Sequence, residues 1–259
     1  MEYVDFGSTG LRVSRLAIGT GTDGANRCSE QTKLGIDGLA DLLVKAYDLG
    51  VTFWDTADQY GAHPHVAAAL RRVNRDRITL ATKSHATKSK EALEDVDRFL
   101  RELGTDVLDI VLLHGMHNGN WPKKHEGAME GLTRAKEQGK VRTVGFSCHG
   151  LGALKVAVST PWVETVLVRI NYAGVNMDGK PSEVEPILRE FHAAGKALYG
   201  MKVVGCGQLT HNVRRAFDYV LGLGTVHAFT IGMSKLSQLE HNVALMDELA
   251  PQHPVPASR

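Results

Sequence analysis

Val51-Thr52-Phe53-Trp54-Asp55 is a short apolar run that ends on a carboxylate. Two runs downstream have the same form: Ile78-Thr-Leu-Ala-Thr-Lys83 ends on an ammonium, and Leu108-Asp-Ile-Val-Leu-Leu-His114 ends on an imidazole. Each has the length and β-branched content of a buried strand. Tyr60 follows Asp55 by five positions. A polar residue at the C-terminal end of such a strand sits at the edge of a core, within reach of solvent and ligands. In a parallel barrel those ends share one face, the face that carries active sites. The spacing therefore gathers a carboxylate, a phenol, an ammonium and an imidazole around one point.

Working outward, strand-like and helix-like segments alternate along the whole chain. Arg15–Gly19 reads as a first strand, and further strands are expected at Val51–Trp54, Ile78–Thr82, Val107–Leu113, Val141–Phe146, Val163–Ile170, Ala197–Val204 and Val226–Ile231. Between them apolar residues recur at helical spacing, as in Leu39, Leu42, Leu43 and Ala46 or Leu93, Val96, Leu100 and Leu103, with Gly50 and Gly104 as helix stops. Eight strands each followed by a helix predict a single (β/α)8 barrel domain over residues 1–259, with a proline-rich tail from 250 onward expected to fray. An open doubly wound sheet is the alternative. It usually has fewer strands, and no Gly-x-Gly-x-x-Gly opens a helix after the first strand; Gly19-Thr-Gly-Thr-Asp-Gly24 reads as a flexible loop.

Composition narrows the class. Lys+Arg is 30 against Asp+Glu 29, with no basic stripe, so neither nucleic acid nor a membrane surface is expected as the main partner. The apolar runs are too short to span a bilayer. The N-terminus lacks the basic and apolar regions of a signal peptide, and Cys28, Cys148 and Cys206 form an odd, sparse set. These features predict a soluble cytoplasmic protein with free thiols. Oligomeric state is not readable.

With these residues in view, the chain resembles the aldo-keto reductase family from about Tyr3 to Asn242. Phe6-Gly-Ser-Thr-Gly-Leu-Arg-Val-Ser-Arg-Leu-Ala-Ile-Gly-Thr20 is similar to that family's opening hairpin and first strand. Phe53-Trp-Asp55-Thr-Ala-Asp-Gln-Tyr60-Gly61 matches its signature around the catalytic aspartate and tyrosine, Thr82-Lys83 its lysine, and Leu112-Leu-His114 its histidine. Gly139-Lys-Val-Arg-Thr-Val-Gly-Phe-Ser147 looks like its fifth strand. In this order the motifs are specific; any one alone is weak. The resemblance implies a TIM barrel with a short N-terminal β-hairpin, an extended nicotinamide cofactor held without a dinucleotide-binding fold, and hydride transfer with a small carbonyl substrate.

The resemblance also implies site residues, with departures. Gly19 and Thr20 lie at the cofactor end of the first strand. Ser147 matches a ligand of the nicotinamide carboxamide; Cys148 or His149 stands where asparagine is usual, and Asn171 is the candidate for the usual glutamine. Met201-Lys202 stands where many members stack an aromatic ring, and a methionine gives a softer contact. Ser234, Lys235, Gln238 and Asn242 align with the adenosine-phosphate site, where Gln238 and His241 replace the usual arginine and glutamate. Lys235 is then the cation for a 2′-phosphate, so NADP(H) is the preferred cofactor and NAD(H) a possible one. Trp54 and Trp121, with the loop His117–Pro122, are the candidates for the substrate pocket, and no long C-terminal loop is expected to shape it.

The chemistry follows from residue types. Tyr60 can protonate a developing alkoxide. Lys83 beside it is expected to lower the phenol pKa, Asp55 to hold Lys83, and His114 to bind the carbonyl oxygen. Each has a plainer role when taken singly: a turn cap, a loop tyrosine, a rim lysine, a core histidine. Together, in this context, they favour catalysis. Twelve histidines, including His63-Pro-His65 and His114-x-x-His117, raise a metal-dependent hydrolase as the second enzyme reading. A non-catalytic NADP-binding regulatory subunit is the third, and its lack of need for a proton donor counts against it. No metal is assigned.

Overall fold

A computed structural model describes residues 1–255. Strands β1 (Tyr3–Asp5) and β2 (Arg12–Ser14) form an antiparallel hairpin. Eight further strands follow: β3 (Leu16–Gly19), β4 (Phe53–Asp55), β5 (Thr79–Ser84), β6 (Leu108–Met116), β7 (Val141–Cys148), β8 (Thr165–Arg169), β9 (Ala197–Met201) and β10 (Ala228–Gly232). They pair in parallel and in order, and β10 closes on β3 to complete the barrel. Helices α1 (Gly35–Asp48), α2 (His63–Leu70), α3 (Ser89–Leu103), α4 (Trp121–Lys124), α5 (Glu126–Glu137), α6 (Leu151–Val158), α7 (Pro181–Ala193), α8 (Val213–Gly222) and α9 (Leu236–Leu249) lie between and after the strands.

Strand periodicity sorts the side chains into two layers. Ala17, Phe53, Ala81, Ile110, Leu112, Leu167, Ala197, Tyr199 and Ala228 cluster inside the barrel, together with Phe6, Leu11 and Val13 of the hairpin. The hairpin thus contributes to the interior core instead of lying loose. The alternate residues Ile18, Trp54, Leu80, Val111, Leu113, Val166, Val168 and Ile170 pack outward with the helix stripes. The stripes read from sequence are the buried faces: Leu39, Leu42, Leu43 and Ala46 on α1, and Val96 and Leu103 on α3. Gly104 takes φ +65° after α3, and its N–H closes on the Leu100 carbonyl at 2.9 Å, a left-handed cap that a side chain would strain.

The expected fraying from residue 250 does not hold at its start. Ala250–Gln252 forms a helical turn, and the fully buried Arg15 donates to the carbonyl oxygens of Ala250 (3.2 Å) and His253 (2.7 Å). Residues 256–259 lie outside the described residues. Among the described residues no helix is long and apolar enough to cross a membrane.

Candidate active site

Inward alternation carries the three polar strand ends to one mouth. Asp55 is two residues beyond interior Phe53, Lys83 two beyond Ala81, and His114 two beyond Leu112. The ammonium of Lys83 is fully buried and donates to Asp55 Oδ1 at 2.7 Å and to the Thr56 carbonyl at 2.7 Å. Tyr199, buried inside β9, donates its hydroxyl to the same Asp55 oxygen at 3.0 Å. Tyr60 ends a short 3₁₀ turn, Asp58–Tyr60, closed by Gly61 at φ +67°. Lys83 Nζ lies 5.2 Å from the centre of the Tyr60 ring, and the His114 ring meets that ring edge-on at 5.7 Å.

A register shift separates Leu113 from Met116 in the β6–β7 pairing. Gly115 occupies it at φ +75°, and its N–H donates to Ser147 Oγ at 2.8 Å. Irregularities of this kind re-aim strand-end side chains near active sites. Here the shift falls directly after His114.

The electrostatics differ from the sequence expectation in one respect. Burial pushes the Tyr60 phenol up from its ordinary value of 10.0, and Lys83 only partly offsets this, so the net shift is upward. Burial favours discharging Lys83, but Asp55 and Tyr60 more than compensate, so the ammonium is held above 10.5. Burial, aided by Lys83, His85 and His149, pushes His114 down to about 2. At neutral pH the site therefore holds a protonated phenol, a charged lysine and an uncharged imidazole.

A cavity of about 280 Å³ runs from these groups across the barrel mouth. Asp55 and Tyr60 stand at one part of its wall, with Gly19, Met201 and Lys202; Ser234 and Gln238 stand at another. Three glycines keep its walls clear. A Cβ on Gly19 would lie 2.7 Å from Thr230 Oγ1, one on Gly21 2.1 Å from the Tyr60 ring, and one on Gly232 1.9 Å from Thr22 Oγ1. Thr230 lines this cavity, and its buried Oγ1 has no partner among the described residues. Such a groove with an orphan hydroxyl fits an elongated polar ligand.

Several other residues expected at the cofactor are engaged with the protein itself or stand outside the cavity lining. Thr20 is buried and donates to the Asp55 carbonyl and Thr56 Oγ1. Lys235 is exposed, beside Ser234. Gln238 does line the cavity, but its Oε1 accepts the N–H groups of Ser234 and Lys235. Buried Asn242 donates to the sulfur of Met233. Ser147 is buried beneath Gly115.

Two expectations need correction. Trp54 faces outward into the helix layer, with its indole N–H on the Val51 carbonyl at 3.1 Å, because its neighbours Phe53 and Asp55 take the inward face. It lines neither cavity. Asn171 is fully buried; its amide donates to the Val175 and Lys202 carbonyls, and its oxygen accepts from Ala173 and Val175. It pins a loop and has no capacity left for a ligand.

Sequence reasoning missed two residues. Tyr199 is one. The other is Arg169, which ends β8 two residues beyond interior Leu167 and donates to His149 Nδ1 at 2.7 Å and Asp178 Oδ1 at 3.2 Å. In sequence it stands inside the run Val163–Ile170 and not at its end, so the strand-end pattern that marks Asp55 and Lys83 does not mark it. A second cavity, about 450 Å³, is lined by His114, His117 and Trp121 among others. Trp121 is otherwise buried, stacked on Phe146 at 5.0 Å.

One group of metal-ligand character occurs among the described residues: Asp58, His63 and Glu102. Arg98 already occupies its centre. It reaches Asp58 at 2.7 and 2.9 Å, Asp95 at 2.7 Å and Glu102 at 3.1 Å. His63 is engaged on both ring nitrogens, by Glu102 at 2.7 Å and Thr82 at 2.9 Å. This donor set is a neutralised ion-pair network.

A protonated phenol over a buried lysine–aspartate pair, at the C-terminal face of a parallel barrel without a glycine fingerprint, is the arrangement of a hydride-transfer oxidoreductase. The chain belongs to the aldo/keto reductase family, whose model matches residues 15–221. L-galactose dehydrogenase from Arabidopsis thaliana is 24% identical, over 96% of this chain and 89% of that one. An aldo-keto reductase from Bacillus subtilis is 29% identical over 57% of this chain and 47% of its own length. The solved structure of an aldo/keto reductase from Klebsiella pneumoniae, in complex with NADP and acetate, superposes with a TM-score of 0.71 at 21% identity, over 98% of this chain and 96% of that one, a likeness of fold.

Proposed function

We propose that this chain is an NAD(P)H-dependent reductase of aldehydes or ketones, with Tyr60 as proton donor and Asp55, Lys83 and His114 as its partners. The observation that carries the reading is the fully buried Lys83 ammonium, held by Asp55 at 2.7 Å and set 5.2 Å from the Tyr60 ring at the cavity wall. The open groove from Tyr60 to Gln238, with the unpartnered Thr230 hydroxyl, would suit a nicotinamide dinucleotide in extended form; Gly19, Met201 and Ser234 line it and would contact such a ligand, and exposed Lys235 follows Ser234 in the chain. When bound, that cofactor supplies the hydride.

The protein's own residues do the rest. A raised pKa keeps Tyr60 protonated, so it can give its proton to the carbonyl oxygen as charge builds there. Lys83 then stabilises the phenolate left behind, while Asp55, itself fixed by Tyr199, keeps the ammonium in place. Uncharged His114 orients the carbonyl through a neutral hydrogen bond and does not compete as an acid. NADP(H) is favoured over NAD(H) by Lys235, a single flexible cation. The same reading takes residues 1–259 as one barrel domain in the cytoplasm, consistent with three unpaired cysteines.

Tyr60→Phe tests it. NADPH affinity, read by tryptophan fluorescence, should persist while kcat/KM for a reducible carbonyl falls by about 10²–10⁴-fold, the usual contribution of general acid catalysis. Near-normal turnover would remove Tyr60 from the role.

A further inference from the structure

His114 lacks the anchor that usually aims a working imidazole. One ring nitrogen of such a histidine commonly holds a carboxylate or a backbone carbonyl, and that bond directs the other nitrogen. His114 Nδ1 is buried and has no partner among the described residues. The orientation of the ring therefore rests on what packs against it. Tyr60 and His149 meet it edge-on, at 5.7 and 6.2 Å and at 84° and 88°. His85 instead lies against a face: its ring is stacked at 4.5 Å, 25° from parallel.

The strands bring the two rings together. β5 and β6 pair Ser84 with Leu113, so His85 and His114, the next residues on each, stand side by side. His85 is exposed, and an exposed side chain keeps one rotamer only when something holds it. Gln59 does so: its Oε1 accepts His85 Nε2–H at 2.7 Å. Gln59 is the middle residue of the turn Asp58–Tyr60. That turn is itself fixed. Asp58 accepts from Arg98 at 2.7 and 2.9 Å and from Arg27 at 2.8 Å, and the Gln59 carbonyl accepts the Arg27 N–H at 2.8 Å. Burial leaves both imidazoles uncharged at neutral pH, so the stack carries no like-charge repulsion.

We propose that His85 is a positioning residue: it sets the plane of the His114 ring, and Gln59 ties that plane to the turn that presents Tyr60. The inference rests on the reductase reading above. The Tyr60 hydroxyl and the His114 ring must converge on one carbonyl oxygen, and a misplacement of about 1 Å can cost about 10²-fold in rate. Because Gln59 precedes Tyr60 in the chain, the proton donor and the orienting imidazole share one frame. A shift of the turn carries both.

The test uses the purified full chain with NADPH and 4-nitrobenzaldehyde. His85→Ala should lower kcat about tenfold, a part of that 10²-fold range, while NADPH affinity read by tryptophan fluorescence is retained. His85→Phe keeps a flat ring over His114 and should lose less. Gln59→Leu should slow the wild type but add nothing to His85→Phe, which has no N–H for Gln59 to hold. A double-mutant cycle shows whether His85 acts through His114: in the His114→Ala protein, His85→Ala should cost nothing further. An undiminished loss there, or a wild-type kcat in His85→Ala, would overturn the proposal. A second arm needs no turnover. In protein carrying carbon-13-labelled histidine, the His114 Cδ2–H signal is assigned by its loss in His114→Ala. Its order parameter should be that of a rigid ring in the wild type and in His85→Phe, and should fall in His85→Ala. An unchanged order parameter in His85→Ala would overturn the proposal. A wild type that reduces no aldehyde would defeat the reductase reading, and a fall in this second arm would then leave His85 standing as the residue that orients His114.

Discussion

Lys83→Met separates what the buried ion pair does for folding from what it does for catalysis. Lys83 is fully buried and Asp55 nearly so, and the pair is closed at 2.7 Å. Methionine removes the ammonium and leaves Asp55 as a buried carboxylate whose remaining polar partner is the Tyr199 hydroxyl at 3.0 Å. Breaking one side of such a pair costs about 3–5 kcal/mol. For a chain of this size that lowers Tm by roughly 6–20 °C, at about 2–4 °C per kcal/mol. Adding Asp55→Leu removes the stranded charge, but it orphans the Tyr199 hydroxyl, a loss of about 1–3 kcal/mol. The Lys83→Met/Asp55→Leu protein should therefore regain part of the stability, with a coupling energy of about 2 kcal/mol or more between the sites. Its carbonyl reduction should stay as low as that of Lys83→Met, since neither protein can stabilise the phenolate. Thermal denaturation by circular dichroism and initial rates on one carbonyl substrate read both quantities. A single mutant as stable as wild type would show that the pair is not buried as described. A double mutant that recovers activity would remove Lys83 from the chemistry.

Three further outcomes follow from the same geometry. Lys235→Ala should reduce the preference for NADPH over NADH by about fivefold, the upper end of what one exposed ion pair contributes, and unchanged discrimination in fluorescence titrations would place the 2′-phosphate elsewhere. Because His114 is pushed down to about 2 and Tyr60 is raised above 10.0, kcat/KM for reduction should show no ionisation near pH 6.5 and stay level from about pH 5.5 to 8; an inflection there that survives in His85→Asn and His149→Asn would contradict a neutral His114. Chelators should leave activity unchanged, since Arg98 already neutralises Asp58 and Glu102; stoichiometric metal by elemental analysis, with activity lost on its removal, would reverse that reading.

The barrel and the strand-end polar groups were legible because both follow from local pattern. A run of β-branched residues that stops at Asp55, Lys83 or His114 announces a strand and its end together. The inward or outward sense of each residue was less legible. Strands of a parallel barrel are buried on both faces, so Phe53, Trp54 and Asp55 give no polar alternation to read. The pattern therefore does not give the sense of Trp54, which β4 turns to the helices and away from the pocket expected of it. The same ambiguity misplaced the end of β8. Val163–Ile170 reads as one apolar run broken only by Glu164 and Arg169, whereas the strand stops at Arg169 and leaves Asn171 in a loop that it pins itself. Tyr199 lies 144 positions from Asp55 in sequence, so no local pattern points to their hydrogen bond.

The sign of the Tyr60 shift shows why a correct set of residues does not give a correct field. From sequence, a lysine near a tyrosine implies an acidified phenol, because attraction to the opposite charge was the only effect in view. The fold adds a second one. Glycines at 21 and 24 let the loop after β3 lie against both edges of the Tyr60 ring, where any Cβ would come within 2.3 Å of it, and this packing removes the phenol from water. Desolvation then acts on the ring and the lysine together. It raises the cost of a lone phenolate and, equally, makes Lys83 dependent on Asp55. The buried aspartate is thus the charge that lets an ammonium stay in place beneath a neutral proton donor. Replacing Gly21 or Gly24 with alanine should push the loop off the ring and rehydrate the phenol. Its titration, followed by ultraviolet absorbance, should then move back toward 10, and carbonyl reduction should weaken although no residue of the tetrad has changed. If the phenol titrates unchanged in both variants, the loop is not what desolvates Tyr60.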